Sequence, residues 1–264
     1  MFNNFINQDY IKSQLESMVR ALKNNILSGI NVLFISGPGQ GKTYLSKLFC
    51  RQISRNFEYI MCNPKIGINS NVEGVFLLDE VHQLRNIESL YPVMDKGNSV
   101  VVSTTTEFNK LQEPFISRNI VLSFSAYSID DMSKIILNYA HRIKFYINDQ
   151  IAYKIASYSR NNPRYAIMLT KRLYTFLYDY GYITKQDILN VLNQIGIFTN
   201  GYTNQDLRYL EIVKDKGPIS LSNISRIMGV SEAFIKNSIE PFLLSNNKIT
   251  ITSKGRSLTK KEKK

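Results

Sequence analysis

Ser36-Gly37-Pro38-Gly39-Gln40-Gly41-Lys42-Thr43 packs three glycines, a lysine and a hydroxyl into eight residues. Glycines let a backbone curl until successive N–H groups converge on one point, an arrangement that suits the oxygens of a phosphate chain. In such a loop Gly37, Pro38, Gly39 and Gly41 shape the cradle, Lys42 reaches the β- and γ-phosphates, and Thr43 holds magnesium. A nucleoside triphosphate is the expected ligand, with Mg2+ as its companion. The strict pattern of glycine, four residues, then Gly-Lys-Thr asks for glycine at 36, and this chain has Ser36 with Gly37 one place later.

Further along, Gly74-Val75-Phe76-Leu77-Leu78 ends in Asp79-Glu80. Asp79 is placed to bind magnesium, and Glu80 to orient and deprotonate an attacking water, as in-line phosphoryl transfer requires. A solvated acidic turn is the plain alternative for a lone Asp-Glu pair, but its coupling to the phosphate loop disfavours it. A third apolar run, Ser99 to Ser103, delivers Thr104-Thr105-Thr106. Arg118 and Arg164 are candidates to stabilise charge on a transferring phosphoryl group, although a surface position is the usual fate of an arginine.

These groups need elements to hold them. Asn31 to Ile35 reads as a buried strand leading into the loop, and a helix begins near Tyr44. The runs at 74–78 and 99–103 are too short and too continuously apolar for amphipathic helices and read as buried parallel strands. Three such strands ending in polar tips converge on one crevice, where open α/β sheets bind ligands. Pro163, in Asn162-Pro163-Arg164, opens a helix running through Tyr165 to Tyr178.

At 264 residues the chain has room for two or three small domains, and no apolar run approaches the roughly 20 residues needed to span a bilayer. With only Cys50 and Cys62, neither a metal-type pair nor a disulfide framework is expected, which fits a cytoplasmic protein away from membranes. The net charge of +12 favours a polyanionic partner, nucleic acid first, unless it reflects only a compositional bias toward Asn, Ile, Lys and Tyr.

That charge has a location. After a helical stretch ending near Gly196 and a polar connector, Asp206 to Lys214 reads as a helix, Gly217-Pro218 as a turn and Leu221 to Met228 as a second helix. Ser231 then caps a third helix through Ile239, and Lys248 to Ile251 is a strand. From Thr203 onward there are 12 Lys and Arg against 6 acids, a net of +6. Lys254 and Arg256, beside Gly255 in a predicted hairpin, are expected to grip DNA phosphates at a wing tip.

Gly37 to Thr43, Phe76 to Leu84, Leu90-Tyr91-Pro92-Val93-Met94-Asp95, Ser103 to Thr106, Pro114 to Arg118 and Asn162 to Arg164 together resemble an AAA+ ATPase, most of all the RuvB family of Holliday-junction branch-migration motors. Gly217 to Leu221, Ile239 to Leu244 and Thr252 to Arg256 resemble that family's winged helix, so the likeness spans nearly the whole chain. The resemblance implies an α/β fold: an AAA+ P-loop core with a parallel sheet over residues 1–125, a helical lid over 126–200 and a winged-helix DNA-binding domain over 201–264. It makes Lys42 and Thr43 the Walker A residues, Asp79 and Glu80 the Walker B residues, Thr105 sensor 1, Arg118 a trans-acting arginine finger and Arg164 sensor 2. Phe5 and Ile6 match the segment lining the adenine pocket, and His82 follows the acidic pair as a packing or hydrogen-bonding residue. ATP and Mg2+ are the implied cofactors, and DNA, junction or duplex, and a homo-oligomeric, hexameric ring are the implied partners.

Two departures stand out. Family members carry a long β-hairpin that docks on RuvA before the sensor 1 strand, whereas here only Lys96-Gly97-Asn98-Ser99 separates Asp95 from Val100. Four residues make a turn and no projecting hairpin, so a RuvA-type partner is not expected and the chain reads as a reduced relative. Ile116 stands where the family tends to have another arginine. The leading function is an ATP-dependent DNA motor that migrates or remodels junctions. The alternatives are a clamp-loader or helicase-loader switch acting on another protein ring, and a winged-helix DNA binder that merely senses ATP.

Overall fold

The computed structural model describes residues 1–54, 56–67 and 73–259. Lys260, Lys261, Lys263 and Lys264, counted above in the basic tail, lie outside the described residues. The described chain forms two compact units, one of residues 1–135 with 162–167, the other of residues 136–161 with 168–264. No helix among the described residues is long and apolar enough to cross a membrane.

The first unit starts with α1 (Asp9–Lys23), then β1 (Ile30–Ile35), α2 (Lys42–Ile53), β2 (Glu58–Met61) and β3 (Val75–Asp79). It continues with α3 (Tyr91–Lys96), β4 (Val100–Thr105), α4 (Glu113–Ile116), β5 (Ile120–Ser123) and the start of α5 (Ile129–Arg142). The five strands make one sheet in the order β2-β3-β4-β1-β5, with every pairing parallel. The sequence-predicted strands at 31–35, 74–78 and 99–103 are therefore three neighbouring central strands. Strands buried on both faces must be apolar on both, which explains their continuous runs. Side chains alternate accordingly: Val32, Phe34, Leu77 and Val102 pack under Leu15 of α1 and Phe49 of α2. Leu33, Leu78 and Val101 pack on the other face with Leu90, Met94 and Phe115.

Because all strands run the same way, their carboxyl ends share one edge. Register fixes this directly, since Ile35 pairs with Thr105, Leu78 with Ser103 and Met61 with Asp79. The phosphate loop, the acidic pair and the threonine tip thus rise from a common rim. The α3 to β4 connection is Gly97-Asn98-Ser99, with Gly97 in the left-handed region at φ 68° closing the helix. No hairpin projects from it.

The second unit holds α6 (Asp149–Ala156), most of α7 (Pro163–Leu177), α8 (Lys185–Gln194) and a small ladder of β6 (Ile197–Phe198) with β7 (Tyr202–Thr203). Then follow α9 (Asn204–Lys216), α10 (Leu221–Met228), α11 (Glu232–Phe234), a π-helical turn over Ile235–Ile239, α12 (Glu240–Ser245), and the hairpin of β8 (Ile249–Thr252) with β9 (Gly255–Leu258). Thr203, Ser220 and Ser231 cap α9, α10 and α11 through their hydroxyls. The helix expected to stop at Ile239 runs on to Ser245. Pro241 cannot donate to the helical ladder and crowds the preceding turn, and the widened π turn just ahead of it accommodates the mismatch. The core here is Tyr209, Ile212, Ile224, Met228, Ile235, Leu243 and their neighbours. Arg160, after α6, ties that helix to this core within the unit: its Nε donates to the Gly201 carbonyl at 2.8 Å, it pairs with buried Asp206, and its guanidinium lies 4.3 Å from the Phe242 ring centre.

Candidate active site

Ser36 is compatible with the loop because the backbone there does not take positive φ; the loop residues that do are Gly39 at 79° and Gly41 at 96°. A Cβ on Gly39 would lie 2.5 Å from Asn162 Oδ1, and one on Gly41 would lie 3.2 Å from the Phe5 ring. Gly37 has open space around it, so Gly39 and Gly41 are the two glycines the loop requires. Gly41 is also the N-cap of α2, which starts at Lys42 and directs its free N–H groups toward the cradle.

Lys42 is buried, and its Nζ donates to the carbonyls of Ser36 at 2.9 Å and Gly37 at 3.1 Å and to Ser36 Oγ at 3.3 Å. Burial holds its ammonium below the usual lysine range; the charges of Glu80 and Asp79 oppose that shift and Arg164 adds to it. Asp79 collects three hydroxyls from three elements. Thr43 Oγ1 donates from α2 at 2.9 and 3.1 Å to its two oxygens, Tyr59 OH from β2 at 2.9 Å, and Thr104 Oγ1 from β4 at 2.5 Å. Glu80 takes the left-handed conformation at φ 55°, with Thr104 Oγ1 accepting its N–H at 3.2 Å. Its carboxylate accepts from the Thr106 N–H at 3.0 Å and the Thr106 hydroxyl at 2.8 Å.

The threonine tip therefore divides its labour by alternation. Thr104 braces Asp79 and Thr106 holds Glu80, whereas Thr105, the expected sensor, is fully buried with its hydroxyl 2.9 Å from His82 Nδ1. Thr105 Oγ1 also accepts the Glu107 N–H at 3.1 Å, and His82 Nδ1 lies 3.4 Å from Glu80 Oε2, so Thr105 reaches that carboxylate through His82. His82 Nε2 lies 3.2 Å from Glu107, making His82 a buried hydrogen-bonding residue as expected.

Asn162, Pro163 and Arg164 pack on the loop. Asn162 Nδ2 donates to the Pro38 carbonyl at 2.9 Å and the Arg164 N–H to the Gly39 carbonyl at 3.1 Å, with Pro163 buried between them. Phe5 is buried against Gly41 and stacks on Tyr44 at 6.0 Å between ring centres, beside half-buried Ile6. Tyr127 OH donates to the Gln40 carbonyl at 2.9 Å.

Arg118 is not brought to this rim. It precedes β5, and its carbonyl accepts from Asn31 Nδ2 at 3.2 Å at the amino end of β1, whereas the loop follows the carboxyl end. With about 3.3 Å per strand residue, the five steps along β1 separate the two ends by about 17 Å. Arg118 instead forms a bidentate pair with Asp95.

Arg256, expected at the wing tip, is paired with a carboxylate on α12. Its Nε donates to Glu240 Oε1 at 2.8 Å, and the same oxygen accepts from Tyr209 OH at 2.8 Å. The Arg256 and Glu240 side chains are 15% and 4% exposed. Lys254, at the turn of the hairpin, is exposed.

Sequence reasoning delivered the whole threonine tip to the site but singled out Thr105, and it gave no contact role to Tyr59, Asn162 or Asp95. The period-2 alternation of a strand could have separated Thr104 and Thr106 from Thr105; nothing in the sequence marks Tyr59, since β2 is a short edge strand.

As to a metal, no cluster of three or more His, Cys, Asp and Glu capable of holding one occurs among the described residues. One carboxylate and one hydroxyl, Asp79 and Thr43, do lie in contact, and two hard oxygen donors beside a phosphate cradle fit Mg2+, which keeps waters and phosphate oxygens as its other ligands.

Comparison with known proteins agrees with this geometry. Residues 199–264 match the family described as the RuvB C-terminal winged helix domain. The Holliday junction branch migration complex subunit RuvB of Nitratiruptor sp. is 30% identical, covering 98% of this chain and 88% of its own length. That of Mycoplasmopsis pulmonis is 28% identical, covering 98% and 94%. The solved Thermotoga maritima RuvB Holliday junction branch migration motor superposes with a TM-score of 0.85 at 26% identity, covering 98% of this chain and 94% of that one. The M. pulmonis alignment extends over 296 positions while 98% of 264 residues is about 259, so about 37 positions of the relative face gaps in this chain. With a 30% identical relative matched along almost its whole length, the chain belongs to the RuvB family.

Proposed function

We propose that this chain is an ATP-hydrolysing DNA motor that acts on Holliday-junction DNA as a ring of identical subunits. The observation that carries the reading is the rim itself, where Lys42 and Thr43 at the start of α2 stand beside Asp79 and Glu80 at the end of β3, with both carboxylates oriented by hydroxyls. Backbone N–H groups of Gly37, Gly39, Gln40 and Gly41 and the start of α2 bind the triphosphate, and Lys42 exchanges the Ser36 and Gly37 carbonyls for β- and γ-phosphate oxygens. Thr43 and Asp79 hold Mg2+, which supplies charge neutralisation on the phosphates when bound. Glu80 orients the attacking water and takes its proton, with Thr106 holding the carboxylate and Thr104 fixing the backbone behind it. Phe5, Ile6 and Pro163 bound the adenine side, and Arg164 contacts the phosphates from the helix that opens beside Gly39.

The Arg118 backbone docks about 17 Å along the sheet from its own loop, so Arg118 serves the nucleotide of a neighbouring copy, and hydrolysis depends on assembly. In this reading residues 1–125 are the ATPase core, 126–200 the lid and 201–264 the DNA-binding winged helix. Lys254 supplies a DNA phosphate contact.

The three-residue connection from α3 to β4 favours a second reading, a loader-type switch that uses the same site on another protein ring. Phosphate release measured with a four-way junction, linear duplex or no DNA separates them. The motor is expected to be stimulated most by the junction and silenced by Glu80→Gln; indifference to all DNA would overturn it in favour of the switch.

A further inference from the structure

We propose that Asp95 and Tyr91 are positioning residues for Arg118, orienting its guanidinium before it meets a neighbour's triphosphate. The inference rests on the trans role of Arg118 proposed above. Arg118 Nε donates to Asp95 Oδ1 at 2.8 Å and Nη2 to Oδ2 at 3.1 Å, Nη1 donates to the Pro114 carbonyl at 2.7 Å, and the guanidinium carbon sits 4.4 Å from the Tyr91 ring centre. These contacts define both the plane and the in-plane rotation of the group. They use three of its five N–H bonds, and the two that remain form a donor set for an incoming anion. Asn31 sets the backbones of both partners, since its Nδ2 lies within reach of the Met94 carbonyl at 3.3 Å and the Arg118 carbonyl at 3.2 Å.

The pair is poorly placed to serve stability. The Arg118 and Asp95 side chains are 31% and 55% exposed, and exposed ion pairs add little to folding. A flexible arginine reaching across a subunit boundary gains far more from being held in its productive orientation, because misplacement of about 1 Å at a reacting centre is costly. Asp95 acts through Arg118 and touches no phosphate itself.

The test uses mixed rings. Glu80→Gln chains keep the finger and lack the base, whereas Arg118→Ala chains keep the base and lack the finger, so hydrolysis in a mixture arises where the two meet. Its recovery above either chain alone tests the trans role by itself, and absence of recovery would sink that role before Asp95 is questioned. With recovery established, Asp95→Asn on the Glu80→Gln chain is expected to cut it about tenfold in kcat with little change in KM for ATP. The same substitution on the Arg118→Ala chain has no finger left to misplace and is expected to leave recovery intact. Asp95→Glu on the finger chain is expected to restore part of the loss. Equal losses from both placements, or a gain in turnover when Asp95 is removed from the finger chain, would overturn the proposal.

Discussion

At the rim of the sheet, the ammonium of Lys42 rests on backbone carbonyls and the carboxylate of Asp79 on three hydroxyls, and neither forms an ion pair among the described residues. In the winged helix the buried carboxylate of Glu240 is met by the full charge of Arg256 together with Tyr209. The two arrangements differ in what they can release. A charge held by neutral dipoles can exchange them for a phosphate or a metal without stranding an opposite charge behind it. A buried ion pair cannot open without leaving one uncompensated. The first is a site that changes partners during a cycle, and the second is a fixed strut under the hairpin.

The largest effects should come from the site. Glu80→Gln is expected to lower ATP hydrolysis by about 10²- to 10⁴-fold while leaving nucleotide binding largely intact, which steady-state phosphate release and nucleotide titration would measure separately. A merely structural Glu80 would give parallel losses in both. The strut should answer in stability instead. Arg256→Ala is expected to destabilise the winged helix by about 3–5 kcal/mol, read by denaturant unfolding, because Glu240 is left buried and unpaired. Unchanged stability with a simple loss of DNA affinity would return Arg256 to the DNA surface.

Lys254→Ala should show the reverse, within about 0.5 kcal/mol of wild-type stability but with the slope of log K for DNA against log salt reduced by about 0.9 for one lost phosphate contact. The smallest effect concerns Cys50 and Cys62, both free and both in the first unit. Burial pushes each thiol up to about 12. The thiolate is the disfavoured form, so alkylation near pH 8 should be slow in the native chain and accelerate only as the first unit opens. Labelling across a denaturant series therefore reports whether the Arg256→Ala lesion spreads beyond its own unit.

Much of this was legible before any coordinates because parallel strands buried on both faces leave continuous apolar runs, and the loop after β1 declares itself through glycines that a left-handed backbone demands. The helix Leu221–Met228 emerged with the limits expected for it, since Ser220 caps one end and Gly229 in the left-handed region closes the other. Other parts were not legible. β2 is four residues long and largely exposed at the sheet edge, so it leaves no hydrophobic signature, and Tyr59 stayed hidden with it. The helix expected to end at Ile239 instead passes through a π turn and continues beyond Pro241 to Ser245. The direction of Arg256 depends on Glu240, 16 residues away, and that of Arg118 on Asp95, 23 residues away, and no local pattern reports either partner.

The central claim is that ATP turned over at this rim moves DNA, with only a three-residue turn joining α3 to β4. The most direct measurement incubates the chain alone with ATP, Mg2+ and a synthetic four-way junction and follows separation of its arms. The expected result is ATP-dependent separation that Lys42→Ala abolishes. Brisk junction-stimulated hydrolysis with the arms left joined at every protein concentration would contradict it.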